Sequence, residues 1–118
     1  MFFKIDCEGC EYPGLKYIPT ERLEQIDQMV GEFHLYPIFH EEWGILDILR
    51  SLTEKFVVVN LHMTNFACTD SPLRRLKALA IEYTLVSKRL ITKRSESQSF
   101  KLHPLNTPSY KPSPDCQI

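Results

Sequence analysis

The sequence predicts an α/β fold built on a mixed β-sheet, and three observations support this. Two short continuous apolar runs, FVVV and ALAI, are typical of strands that are covered on both faces. Segments with a helical period lie between most of the predicted strands. The last connection, Thr64–Arg75, leaves little room for a helical crossover, so we expect the final strand to run antiparallel to its neighbour.

Four segments are predicted strands because apolar and β-branched residues dominate them: Phe2–Asp6, Asp27–Leu35, Phe56–Met63 and Ala78–Ser87. Two helices are predicted between them, a short one over Thr20–Gln25 and a longer one from about His40 to Lys55. In the longer helix an apolar stripe is formed by Trp43, Ile45, Leu46, Ile48, Leu49 and Leu52. This stripe predicts packing against the sheet.

Length and composition restrict the possible functions. The chain has 118 residues, of which 43% are hydrophobic and 25% charged, as in an ordinary single globular domain. A net charge of −1 does not favour binding to nucleic acid or to an anionic membrane. No apolar run approaches the roughly 20 residues of a membrane span. The chain also has no signal-peptide pattern, so we expect a soluble chain without an export signal, and a longer parent in the secretory pathway stays open.

The chain divides into a domain over residues 1–92 and a tail over residues 93–118. The tail is polar and then rich in proline, with Pro104, Pro108, Pro112 and Pro114. Such composition predicts an extended segment that adds nothing to the core.

The cysteines are Cys7, Cys10, Cys68 and Cys116, and without an export signal we expect reduced thiols. A C-x-x-C pair favours either a metal site or a redox pair, but no second paired motif supplies further metal ligands. The acidic neighbours of Cys7 and Cys10 disfavour a reactive thiolate. We therefore predict that Cys7 and Cys10 are not joined and bind no metal. If a disulfide exists, Cys68 and Cys116 are the expected pair.

The same turn carries three carboxylates, Asp6, Glu8 and Glu11, with Gly9 permitting a sharp reversal. They follow the carboxyl end of a predicted strand, which is where open α/β sheets bind ligands. The alternative is a solvated acidic loop with Glu11 at the start of a helix. Spacing alone leaves both interpretations open.

Residues 4–11, KIDCEGCE, resemble the K-I-D-x-E-G-x-E motif of FkbM-type S-adenosylmethionine-dependent methyltransferases. In that family a following strand ends in E-x-H, which Glu32 and His34 match. The resemblance covers roughly residues 2–92. It implies the C-terminal half of a Rossmann-like class I methyltransferase sheet. The first three strands of this chain would be parallel, with the last inserted antiparallel between the second and third, and helices would pack on the faces.

The resemblance also implies methyl transfer from S-adenosylmethionine to an oxygen or nitrogen of an unidentified acceptor. It places Asp6 and Glu8 at the edge where substrate and methyl donor meet, with Glu32 and His34 beside them and Glu11 at the substrate. His34 is the expected general base, because histidine ordinarily titrates near neutrality. The alternative is a buried histidine that orders the acidic loop. His62 and Glu82 are expected to be structural.

One part of the family pattern is missing. Class I methyltransferases hold the cofactor over a glycine-rich loop and by an acidic residue after a second strand. The four glycines of this chain, at positions 9, 14, 31 and 44, form no G-x-G. We therefore expect a fragment of a longer product or a truncated paralogue that binds S-adenosylmethionine weakly or not at all. Two other classes stay open, a non-catalytic binding or regulatory module derived from a methyltransferase and a C-x-x-C redox or metal protein.

Overall fold

A computed structural model describes residues 1–34, 44–64 and 80–93. In chain order its elements are β1 (Phe2–Ile5), α1 (Glu11–Lys16), α2 (Thr20–Glu24), β2 (Gln28–His34), α3 (Ile45–Lys55), β3 (Phe56–Met63), β4 (Ala80–Ser87) and a 3-10 turn (Lys88–Leu90). The four predicted strands and the two predicted helices are confirmed within the described ranges. Cys68, Cys116 and almost all of the predicted tail lie outside those ranges.

The four strands form one open mixed sheet in the order β1-β2-β4-β3. Strands β1 and β2 are parallel, while β4 is antiparallel to both β2 and β3. Strands β2 and β3 therefore run in the same direction on either side of β4. The mixed α/β fold and the insertion of the last strand are confirmed.

Helix α1 begins at Glu11, as the alternative interpretation of the acidic turn predicted, although Tyr12-Pro13-Gly14 reads as a turn. Cys10 is the N-cap, so Pro13 stands in the first turn of this helix. A backbone N–H in the first turn of a helix has no intrahelical acceptor. The missing N–H of proline therefore costs this helix no hydrogen bond.

The hydrophobic core lies on one face of the sheet, which we call the core face. Its strand residues are Met29, Phe56, Tyr83 and Leu85, and they pack against Tyr12, Leu15, Leu23, Ile26, Ile45, Ile48 and Leu52. The opposite face, which we call the polar face, carries Lys4, Glu32, Asn60, Glu82 and Thr84. The described helices supply core residues only to the core face, so the expectation of helices on both faces is wrong for this part of the chain. The apolar run FVVV suggested two covered faces, but polar residues follow it at alternate positions of β3.

Trp43 of the predicted apolar stripe lies outside the described ranges, and helix α3 shows the rest of the stripe with one exception. Ile45, Ile48 and Leu52 are buried and Leu49 packs against the core. Leu46 is 76% exposed, because it lies outside the arc that these residues define on the helix. No helix within the described ranges is long and apolar enough to cross a membrane.

Strands β1 and β2 approach closely where Gly31 lies beside Ile5. A β-carbon at position 31 would lie 2.1 Å from the carbonyl oxygen of Ile5 and 2.9 Å from the hydroxyl of Tyr83. Only glycine fits at this position, so the close pairing of β1 with β2 depends on it.

Candidate functional site

The predicted site residues come together at one edge of the sheet. Because β1 and β2 are parallel, their carboxyl ends lie side by side. The chain leaves β1 through an acidic turn, residues 6–10, and enters α1 at Glu11, while β2 ends at His34. This is the edge at which open α/β sheets bind ligands.

Glu11 and His34 form the centre of this site. The Glu11 carboxylate is fully buried, and its Oε1 accepts hydrogen bonds from the backbone amide and from Nδ1 of His34, both at 2.9 Å. Its Oε2 accepts a hydrogen bond from the amide of Gly9 at 2.8 Å. With a carboxylate as its partner, Nδ1 carries the proton, which makes Nε2 the nitrogen that can accept one.

The ionised form of Glu11 is stabilised inside the protein. Burial on its own raises the pKa of this carboxyl. The hydrogen bonds from the His34 amide and ring, from its own amide and from Gly9 outweigh that effect, so the pKa of Glu11 lies below its usual range. Glu11 is therefore a buried anion that holds the imidazole of His34 in place.

Two further carboxylates face the other ring nitrogen of His34. Its Nε2 lies 3.5 Å from Oε2 of Glu8 and 3.6 Å from Oε2 of Glu32. The Glu8 side chain is 86% exposed and that of Glu32 is 26% exposed, so Nε2 faces a partly open acidic region. His34 thus lies between a buried carboxylate on one side and two more accessible ones on the other.

The pKa of Glu32 is raised, first because the side chain is partly buried and then because Asp6 and Glu82 repel its charge. His34 opposes this effect. Glu32 stands directly opposite Glu82 in the β2–β4 register. Together with Asp6 and Asn60, these residues line a cavity of about 230 Å³ on the polar face.

Cys7 and Cys10 are joined by a disulfide, so the prediction that they are not joined is wrong. Acidic neighbours disfavour a reactive thiolate, but they do not prevent two nearby thiols from being oxidised to a disulfide. The turn brings the two Cα atoms to 5.4 Å, a separation that suits a disulfide. Within this loop Glu8 and Gly9 have positive φ angles of 55° and 109°.

Tyr12 also holds the end of β2, and the sequence analysis missed it. Its hydroxyl donates a hydrogen bond to the carbonyl of His34 at 2.8 Å, and its ring stacks on Phe33. The ring of Phe33 in turn stacks on Tyr83 with centroids 4.3 Å apart. In the sequence, Tyr12 precedes a Pro-Gly pair, which offered no signal of a buried role.

A second histidine–carboxylate pair lies on the polar face. Nδ1 of the buried His62 is 2.6 Å from Oε2 of Glu82 across the β3–β4 pairing. Within the described ranges, no group of three or more histidine, cysteine or acidic residues is arranged to hold a metal ion.

The arrangement around His34 provides a proton acceptor whose orientation is fixed. The Glu11 carboxylate on Nδ1 leaves Nε2 as the ring nitrogen that can accept a proton, and the carboxylates near Nε2 favour cationic groups. Comparisons with protein-family models, with curated protein sequences and with solved structures found no match.

Proposed function

We propose that this chain is the acceptor-side half of a methyltransferase-like domain, in which His34 removes a proton from the methyl acceptor. The observation that carries the proposal is the hydrogen bond between Glu11 and Nδ1 of His34, at the edge where β1 and β2 end. The resemblance of residues 4–11 and 32–34 to FkbM-type enzymes supplies the reaction class. The inserted antiparallel strand agrees with that class.

The proton chemistry belongs to His34. A hydroxyl or amine that gains a methyl group must lose a proton, and Nε2 of His34 is placed to take it. The resulting imidazolium is stabilised by the Glu11 carboxylate on the opposite side of the ring. Because Glu11 is fully buried, its role in this proposal is to position His34, whereas its predicted role was to bind substrate.

The acidic residues near Nε2 fit a second requirement of the reaction. S-adenosylmethionine, when bound, supplies a methyl group on a positively charged sulfonium. Asp6, Glu8 and Glu32 bring negative charge to this edge of the sheet, which attracts cationic groups. The acceptor in this proposal is an oxygen or nitrogen group with a proton to lose.

The described residues do not supply a complete binding site for S-adenosylmethionine. Gly9 already donates its amide to Glu11, and Gly31 lies within β2 against Ile5. Neither offers free backbone N–H groups of the kind that a glycine-rich loop presents to a cofactor. We therefore derive no step through the cofactor, and we expect the groups that hold it to lie outside these 118 residues.

The first experiment is calorimetric titration of S-adenosylmethionine into the 118-residue chain. We expect no measurable heat of binding at micromolar concentrations. Binding with a micromolar Kd, about −8 kcal/mol, would contradict the assignment of the cofactor groups to another part of the protein.

The second experiment uses the coding sequence upstream of Met1. If it is in frame with a glycine-rich strand–turn–helix, the longer product should bind S-adenosylmethionine. In that product His34→Ala and Asp6→Asn should reduce turnover more than they reduce stability. Glu21→Gln, at an exposed position of α2, is the control and should change neither. A longer product that binds the cofactor and is unaffected by His34→Ala would exclude His34 as the base.

The burial of His34 favours the alternative of a non-catalytic binding or regulatory module, in which His34 only orders the acidic turn. It predicts a longer product that binds ligand without turnover. The same two measurements distinguish it from the enzyme.

A further inference from the structure

We propose that Cys7 and Cys10 form a reversible redox site whose oxidised form positions Glu8 and Glu11 around His34. The proposal concerns the geometry of the site and holds whatever reaction His34 serves. Its basis is that the disulfide closes the turn between β1 and α1, and this turn supplies contacts to both members of the Glu11–His34 pair.

The turn has a conformation that needs support. Glu8 has a φ of 55°, in the left-handed region that non-glycine residues rarely adopt, and Gly9 follows with 109°. Across the turn, the amide of Cys10 donates to the carbonyl of Cys7 at 3.3 Å, near the long end of hydrogen-bond distances. The covalent bond between the two side chains therefore contributes to holding Glu8 and Gly9 in place.

Both residues inside the loop contact the site. The Gly9 amide donates to Oε2 of Glu11 at 2.8 Å, which is one of the hydrogen bonds that fix the buried carboxylate. The Glu8 carboxylate lies 3.5 Å from Nε2 of His34. A turn that relaxes after reduction would loosen one contact on each side of the imidazole.

Reduction also adds a competing donor. A dithiol reductant transfers two electrons and two protons, so the S–S bond breaks, two S–H bonds form and the reductant becomes a disulfide. Sγ of Cys7 lies 3.7 Å from Oε2 of Glu11. The new thiol of Cys7 can therefore donate to the same oxygen that accepts the Gly9 amide. Reduction thus changes the partners of Glu11 directly.

The charges around the pair favour a regulatory disulfide over an exchange catalyst. An exchange catalyst stabilises one cysteine as a thiolate, usually with nearby cations or a helix N-terminus. Here Cys7 adjoins the Glu11 carboxylate, and Asp6 and Glu8 flank it in sequence, so a thiolate is disfavoured. Cys10 is exposed, which lets a reductant reach the bond.

The test uses the full chain carrying Cys68→Ser and Cys116→Ser, so that Cys7 and Cys10 are the only thiols. Peptide mapping without reduction should show the Cys7–Cys10 bond. NMR spectra are then compared before and after addition of dithiothreitol. We expect the ring signals of His34 to shift and the Gly9 amide to exchange about tenfold faster, as for the loss of one hydrogen bond. The ring signals of His62 should stay unchanged.

Two further variants make the result specific. Cys7→Ser/Cys10→Ser should give the reduced spectrum of His34 and no response to dithiothreitol. Glu11→Gln in the parent background should abolish most of the His34 response, because the coupling runs through that carboxylate. If Glu11→Gln fails to fold, the double serine variant alone decides.

Three results would overturn the proposal. The first is a peptide map without the Cys7–Cys10 bond. The second is a His34 ring and Gly9 amide that do not respond to reduction. The third is an equal shift of His34 and His62, which would mean that the disulfide supports the whole fold and has no specific effect on the site.

Discussion

The buried carboxylate of Glu11 accepts hydrogen bonds from both the backbone amide and the ring Nδ1 of His34, each at 2.9 Å. These bonds join the first turn of α1 to the last residue of β2. One side chain therefore fixes the position of the strand end and the orientation of the imidazole together. Stability and site geometry depend on the same group.

Glu11→Gln should lower the free energy of unfolding by about 2–3 kcal/mol, as for the loss of hydrogen bonds to a buried charge. The amide nitrogen of glutamine is a donor, and it would face either the Gly9 amide or the His34 donors. Urea denaturation measures the effect. Glu24→Gln removes an exposed ion pair with Lys55 and should cost less than about 1 kcal/mol. Equal losses in the two variants would contradict the assigned role of Glu11.

The stability of the wild-type protein should fall on acidification in a way that depends on Glu11. Burial alone would raise the pKa of this carboxyl, but its hydrogen bonds lower it on folding. The folded state then binds the proton less readily than the unfolded state, so the stabilisation is present above about pH 4.5 and is lost as the pH falls through the lowered pKa. Urea midpoints measured from neutral pH downward should fall less steeply for Glu11→Gln. If the urea midpoints of the variant and the wild type fall equally steeply at low pH, other carboxyl groups cause the loss of stability.

Glu32→Gln should have the opposite effect and stabilise the protein at neutral pH. Partial burial and the charges of Asp6 and Glu82 raise the pKa of Glu32 on folding, so its contribution is favourable below the unfolded pKa and is lost as the pH rises through the folded one. A neutral glutamine avoids that loss, with an expected gain of about 0.2–1 kcal/mol from removing the charge opposite Glu82. Thermal unfolding at neutral and acidic pH measures it. The gain should vanish in acid, and Glu21→Gln should show none at either pH.

Gly31→Ala should separate β1 from β2 and cost about 3 kcal/mol or more, because the new methyl group would overlap the carbonyl oxygen of Ile5. Gly14→Ala is the matched control. A β-carbon there meets only Cδ1 of Ile5, at 3.4 Å, and alanine in α1 should be neutral or stabilising by up to about 1 kcal/mol. Chemical denaturation of both variants gives the comparison. Similar results for the two would mean that the β1–β2 contact adapts to a side chain.

The strands were predictable because their signal is local. Phe56–Met63 is observed with the predicted bounds, since β-branched residues fill it and helix α3 precedes it directly. The direction of β4 followed from the short connection before it, and its place in the sheet followed from the family resemblance. That Asp6, Glu8, Glu32 and His34 gather at one edge was likewise predictable, because parallel strands bring their carboxyl ends together.

The role of Glu11 and the state of Cys7 and Cys10 were not predictable, because neither is a property of the local sequence. The pKa of Glu11 is lowered in the interior by hydrogen bonds that include those from the His34 amide and ring, and His34 lies far along the chain. The disulfide closes a turn in which Glu8 and Gly9 have positive φ angles, and charge patterning does not indicate this geometry. The polar face of the sheet was not predicted, because the apolar run FVVV is typical of a strand covered on both faces. The alternation that indicates a polar face begins only after this run, at Asn60 and His62.

The central position of β4 affects how this protein is made. Within the described ranges, strands β2 and β3 reach each other only through β4, which is the last of these four strands to be synthesised. On the ribosome, both therefore present unpaired backbone edges until residues 80–87 have emerged, and such edges readily pair with other chains. The pairing of β4 with β2 joins parts of the sequence about 50 residues apart, and pairings between distant segments are associated with slow folding. A nascent chain that stops before Ala80 would leave the facing edges of β2 and β3 open to pairing with other chains.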